Sequence, residues 1–277
     1  MTITAKSEHR VFNGVQGFYE HESKVCGGPM RFGVYMPPWK KPPVVYYLAG
    51  LECNEQTFAM KAGAQRIAAE LGLALVMPDT SPRSARFPGD DTAWDFGQAA
   101  SFYVDATQAP WSSAYRMRSY VLDELRQVVE QRFSVASDRR GIMGHSVGGH
   151  GALTLGLSAD AYDSVSAIAP VVAPSQVPWG QKAFASYLGD DKATWALYDA
   201  TALVTSGKRT RNPVRIDQGS ADKFLSTQLR PELFAAACKS RGEALELVMH
   251  EGYDHGYYFV STVISLQLQH HAGFLRR

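Results

Sequence analysis

The 277-residue chain has little cysteine: only Cys26, Cys53 and Cys238, an odd number with no C-x-x-C pair. That excludes a disulfide scaffold or a cysteine-based zinc motif and predicts a reducing compartment. Long apolar runs are missing too. None approaches the roughly eighteen consecutive apolar residues of a membrane-crossing helix. The opening residues Met1 to Glu8 have no apolar h-region, so no signal peptide is expected. The expectation is a soluble, cytoplasmic protein. Neither sign of charge dominates, with 28 Lys and Arg against 27 Asp and Glu and a net charge of +1. Without a basic block, neither nucleic acid nor an anionic membrane is an expected partner. No H-E-x-x-H, P-loop or G-x-G-x-x-G occurs, so the sequence calls for no metal, nucleotide or dinucleotide cofactor. The chain also lacks linkers, low-complexity tracts and internal repeats, which predicts one domain over residues 1–277.

What is present is apolar patterning, 45% of the chain being hydrophobic. Val11 to Tyr19 and Met30 to Met36 read as strands joined near Gly27-Gly28-Pro29. The period-two spacing of Phe32, Val34 and Met36 suggests an antiparallel start. Val44 to Ala49 is a continuous apolar run, the mark of a buried central strand. Gln56 to Leu71 has helical spacing and stops at Gly72; Leu73 to Met77 is the next strand, stopped by Pro78. Asp79 to Trp111 is aperiodic, a long loop of the kind that often carries function. Ser113 to Phe133 is an amphipathic helix with Met117, Val121, Leu125 and Val128 as its stripe. Strands then recur at Arg140 to Met143, Val165 to Ile168, Val214 to Asp217 and Leu245 to Met249. They alternate with helices at Gly149 to Leu157 and Ser226 to Arg241, an irregular stretch at Pro174 to Gly207, and a closing helix at Tyr257 to His271. Such alternation predicts an α/β fold, with a mainly parallel sheet covered by helices on both faces.

The pentapeptide Gly144-His145-Ser146-Val147-Gly148 lies between a strand and a helix. A G-x-S-x-G in that context puts the serine on a sharp turn at the end of a sheet. The following helix N-terminus then faces the developing negative charge. A serine hydroxyl is a weak nucleophile and needs a base, and the base needs an orienting acid. At such elbows the partners follow in the order Ser, acid, His. Five histidines follow Ser146. His150 is on the helix just after it and cannot swing to its front. His250 ends a strand with its direction open, and His270 and His271 read as surface residues of the last helix. His255, in a loop past the last strand, is the expected base. Asp222, in the loop after the Val214 strand, is the expected acid, with Asp217 as the fallback. Asp254 adjoins His255 too closely to hold its ring. The expected oxyanion donors are the backbone N–H groups of Val147 and of Leu51, which follows the Val44 strand.

Several stretches together resemble the S-formylglutathione hydrolases, the esterase D group of the α/β-hydrolases. They are Leu48 to Phe58, Pro78 to Arg83, Phe102 to Thr107, Gly144 to Leu153, Pro174 to Gly180 and Gly252 to Phe259. The resemblance implies Ser146, Asp222 and His255 as the triad of a cytoplasmic, often dimeric, cofactor-free enzyme. That enzyme cleaves S-formylglutathione to glutathione and formate in formaldehyde detoxification. The chain departs from the family pattern at Glu52, Ala99, Ser101, Val147 and Gly256, which bears on substrate preference more than on mechanism. Cys53 is either a small buried hydrophobe or a thiol lining the site. Trp94, Phe102, Tyr103 and Trp179 either wall the acyl pocket or pack the loops. Competing readings are a general short-chain carboxylesterase with the same triad, an acyltransferase, and a catalytically silent binding protein on this fold.

Overall fold

A computed structural model describes residues 2–276. Its strands are β1 (Ile3–Val11), β2 (Gly14–Ser23), β3 (Gly28–Met36), β4 (Val44–Leu48), β5 (Ala74–Pro78), β6 (Arg140–His145), β7 (Ser164–Ile168), β8 (Val214–Gly219) and β9 (Leu245–His250). They form one nine-stranded sheet in the order β1-β2-β3-β5-β4-β6-β7-β8-β9. The first three strands are an antiparallel meander joined antiparallel to β5, and β5 through β9 run parallel. All five residues of β4 are buried, as the unbroken apolar run required. The helix Val147–Ser158 packs on β4, β6 and β7, while Tyr257–Leu275 packs on β6, β7 and β8 and against the helix Ala64–Leu71. Gly141 of β6 faces His271 on the second of these helices and Gly144 faces Gly148 on the first, so the two helices cover opposite faces. Among the described residues no helix is long and apolar enough to cross a membrane.

Several expected boundaries move. Val11 closes β1 rather than opening the next strand. The chain reverses at Phe12 and Asn13, both left-handed at φ 46° and 60°, a turn whose twist suits a tight hairpin. The run expected as one helix from Gln56 is two, Thr57–Lys61 and Ala64–Leu71, separated at left-handed Gly63 (φ 66°). The helix expected from Ser113 begins at Met117, passes through a π-helical stretch Tyr120–Leu125 and ends at Arg132. The helix expected over Ser226 to Arg241 is broken at Arg230-Pro231, because proline offers no N–H and crowds the preceding turn. His271 is not a surface residue. It is fully buried, with Nδ1 at 2.6 Å from Ser164 Oγ and Nε2 at 2.8 Å from Ser166 Oγ, both on β7. His270 beside it is half-buried.

Candidate active site

The parallel strands end at one edge, and the loops leaving those ends converge there. Ser146 follows β6 directly and has φ 58° and ψ −121°, a conformation that a non-glycine residue adopts only under constraint. Its flanking glycines are dictated by space. A Cβ on Gly144 would lie 2.2 Å from Gly148 O, and one on Gly148 would lie 2.0 Å from Leu48 O. The turn can be this sharp only because both positions lack side chains. It leaves Ser146 at the mouth of the helix Val147–Ser158, whose first N–H groups have no partner within the helix.

The loop after β9 brings His255 Nε2 to 2.9 Å from Ser146 Oγ, and the loop after β8 brings Asp222 Oδ2 to 2.5 Å from His255 Nδ1. A carboxylate can only accept, so Nδ1 carries the proton and the Nε2 lone pair receives the Ser146 hydroxyl. The Asp222 carboxylate is closed to solvent, and its Oδ1 accepts the Phe224 N–H at 2.8 Å. Asp217, the fallback acid, is elsewhere. It is fully buried in β8, taking two bonds from Arg215 at 2.8 and 2.9 Å, with His250 Nε2 at 2.7 Å and Gln267 Nε2 at 2.6 Å. His250 is thus a partner of Asp217. Asp254 accepts from Gly256 N–H at 2.9 Å and not from His255.

His145, which the sequence reading passed over, precedes Ser146 and donates Nε2–H to the backbone oxygen of His255 at 3.1 Å. Burial, and then the neighbouring His255, push its pKa well below the usual histidine value, so the ring stays neutral. His150 is buried on the helix, with Nε2 at 3.0 Å from Phe102 O, and burial lowers its pKa to about 4.

The segment after β4 is held by its carbonyls. Tyr103 Oη donates to Ala49 O at 2.8 Å, and Thr80 Oγ1 and Arg83 Nη2 donate to Cys53 O at 2.7 and 2.8 Å. Glu52, itself left-handed at φ 62°, donates its N–H to Ala99 O at 3.2 Å. Among the described residues the Leu51 and Val147 N–H groups are given to no other protein group. Ala99 is left-handed (φ 61°), and Ser101 uses its hydroxyl to donate to Thr80 O at 2.6 Å.

Ser146 and His255 face a cleft of about 680 Å³, which Leu51, Cys53, Trp94 and Trp179 also line. Trp94 meets Trp179 edge-on at 5.3 Å, Trp179 meets Phe224 at 4.6 Å, and Phe224 meets the His255 ring at 5.1 Å. An aromatic wall therefore runs from the rim to the imidazole. Phe102 is not part of it: the ring is fully buried in the core, 6.4 Å from Phe184, and Tyr103 is likewise buried. Phe224, Lys223 and Tyr257 line the cleft and were not singled out from the sequence. Their only signal was position, since Lys223 and Phe224 adjoin Asp222 and Tyr257 lies two residues past His255.

A family model described as a putative esterase matches residues 23–270. The S-formylglutathione hydrolase of Mus musculus is 46% identical over 280 residues, covering 99% of each chain. A solved S-formylglutathione hydrolase from Agrobacterium tumefaciens is 45% identical, with a TM-score of 0.96 over 98% of this chain and 99% of that one. A ferulic acid esterase, 19% identical with a TM-score of 0.72 over 96% of this chain and all of that one, shares the fold alone. The chain belongs to this esterase family, on the S-formylglutathione hydrolase branch of the α/β-hydrolase fold.

Proposed function

We propose that the protein hydrolyses S-formylglutathione to glutathione and formate, with Ser146 as nucleophile, His255 as base and Asp222 as orienting acid. The observation that carries the reading is the unbroken hydrogen-bond chain from Ser146 through His255 to Asp222, beside two unpaired backbone N–H groups. His255 Nε2 takes the hydroxyl proton as Oγ attacks the formyl carbon. The Leu51 and Val147 N–H groups receive the oxyanion. On collapse the C–S bond breaks and His255 returns its proton to the sulfur, releasing glutathione and leaving formyl-Ser146. Water then attacks, giving its proton to His255; formate leaves and the proton returns to Ser146 Oγ. Asp222 stays ionised and steadies the imidazolium. The proposed setting is formaldehyde detoxification in the cytoplasm, by a homodimer needing no cofactor. In this setting Cys53 lines the site and Trp94 and Trp179 wall it.

The second reading is short-chain esters as further substrates, since the same triad attacks an ester carbonyl and Trp94 and Trp179 give the cleft an apolar wall. The test is release of glutathione from S-formylglutathione, compared with hydrolysis of an aryl acetate. Ser146→Ala should abolish both activities, and a fluorophosphonate should label Ser146. A wild-type protein that prefers the aryl acetate in kcat/KM would make it a carboxylesterase.

A further inference from the structure

Beside the cleft lies a second cavity of about 450 Å³, and Lys223, Phe224 and His255 line both. The second cavity holds two opposite charges, and each adjoins a triad member: Lys223 follows Asp222, and Asp254 precedes His255. Lys223 is exposed, and its Nζ stands 4.9 Å from the centre of the Phe224 ring, a cation–π contact with a side chain that also lines both cavities. Among the described residues no carboxylate pairs with it. Asp254 is exposed and oriented by the Gly256 N–H on its Oδ1.

We propose that this second cavity is the subsite for the γ-glutamyl head of the thiol, with the α-carboxylate on Lys223 and the α-ammonium on Asp254. The inference rests on the S-formylglutathione reading and adds the means of telling glutathione from other thiols. The departing sulfur must lie at His255 Nε2 to receive its proton, so the thiol half of the substrate starts in the first cavity beside His255, a residue that also lines the second. From the cysteinyl residue the γ-glutamyl link reaches about 7 Å, roughly two residue lengths, enough to enter the neighbouring cavity. A simple anion would gain from Lys223 but be repelled by Asp254. A zwitterionic amino-acid head satisfies both.

The test compares S-formylglutathione with S-formyl-N-acetylcysteinylglycine, which keeps the thioester and the glycyl carboxylate but lacks the amino-acid head. Wild type should prefer S-formylglutathione. Lys223→Gln and Asp254→Asn should each lower that preference, read as the ratio of kcat/KM values, by about three- to five-fold, mainly through KM and less at high salt. Because both substrates use His255, the ratio cancels any disturbance of its loop. An unchanged ratio in either variant overturns the zwitterion subsite and leaves the S-formylglutathione reading standing. Equal losses on both substrates with Lys223→Gln leave the ratio unchanged and overturn the assignment in the same way. A wild type that hydrolyses aryl acetate but not S-formylglutathione would overturn the reading itself, and the subsite with it.

Discussion

Asn in place of Asp222 changes one atom, and the surrounding hydrogen bonds decide what that does. The carboxylate meets three donors at once, Phe224 N–H on Oδ1 and, on Oδ2, His255 Nδ1–H and Gln218 Nε2 at 3.4 Å; the Gln218 amide can turn its unpaired Oε1 toward an NH2 placed there. An amide has one oxygen. If that oxygen stays with Phe224, the NH2 points at His255 Nδ1 and forces the proton onto Nε2, which then faces Ser146 as a donor and cannot accept its hydroxyl. If the amide flips, the NH2 meets the Phe224 N–H and a buried backbone donor is left unpaired, at about 1–3 kcal/mol. The first arrangement is therefore favoured. The wrong tautomer costs about 10⁴-fold in kcat, or about 5.4 kcal/mol of barrier, with little change in KM. Asp217→Asn should behave differently. It removes one of the two carboxylates paired with Arg215, Glu246 remaining at 2.6 Å, so its main cost is stability, about 1–3 kcal/mol. Steady-state kinetics and thermal melts on both variants separate the two roles. Near-normal kcat in Asp222→Asn together with lost kcat in a folded Asp217→Asn would refute the assignment of the acid.

Three other outcomes are expected. Glu52 is exposed on the cleft wall beside Leu51, so Glu52→Gln should lower KM for S-formylglutathione a few-fold at low salt, from about 0.5–1 kcal/mol of screened repulsion, and leave a neutral ester unaffected; equal effects on both substrates would indicate packing instead. Burial pushes the Cys53 thiol up from its ordinary value, so inactivation by iodoacetamide should be slow at neutral pH and quicken into the alkaline range. Cys53→Ser should resist, because Cys26 and Cys238 are buried and pushed up to about 12; a Cys53→Ser protein inactivated at the wild-type rate would place the sensitive thiol elsewhere. His150 has a folded pKa of about 4, against the ordinary histidine value of about 6.5. The unfolded chain therefore binds the extra proton first, and stability falls as pH drops from about 6.5 to about 4, by up to about 3 kcal/mol from this residue. Denaturant titrations across that window should show a shallower slope for His150→Gln, and an unaltered slope would exclude the residue.

Much of the candidate site was legible in the sequence because it depends on chain order. G-x-S-x-G points to the elbow, and Asp222 and His255 lie in loops after later parallel strands, so the set that the structure joins by hydrogen bonds could be assembled without coordinates. β1 was not legible. Its residues, Ile-Thr-Ala-Lys-Ser-Glu-His-Arg-Val, form an exposed edge strand with almost no apolar alternation. His271 was misread because a polar pair at a helix end suggests solvent, and only the fold reveals two serines of β7 beneath it. Phe102 looked like a pocket residue because it stands in an aromatic-rich loop. Which aromatic turns inward depends on consecutive left-handed residues, Phe102 and Tyr103, that no spacing rule announces.

The bond from His145 to the His255 carbonyl gives the His255 loop a second mooring. In the sheet, β6 and β9 are separated by β7 and β8. Neighbouring strands are rotated by about 20–25°, so any breathing of the twist accumulates across those three strand pairs. Located through the sheet alone, the imidazole would drift relative to the serine with every such fluctuation. His145 bypasses that route by fixing the His255 main chain to the residue next to Ser146. Ser146 and His255 thus share a mechanical reference that does not pass through β7, β8 and β9.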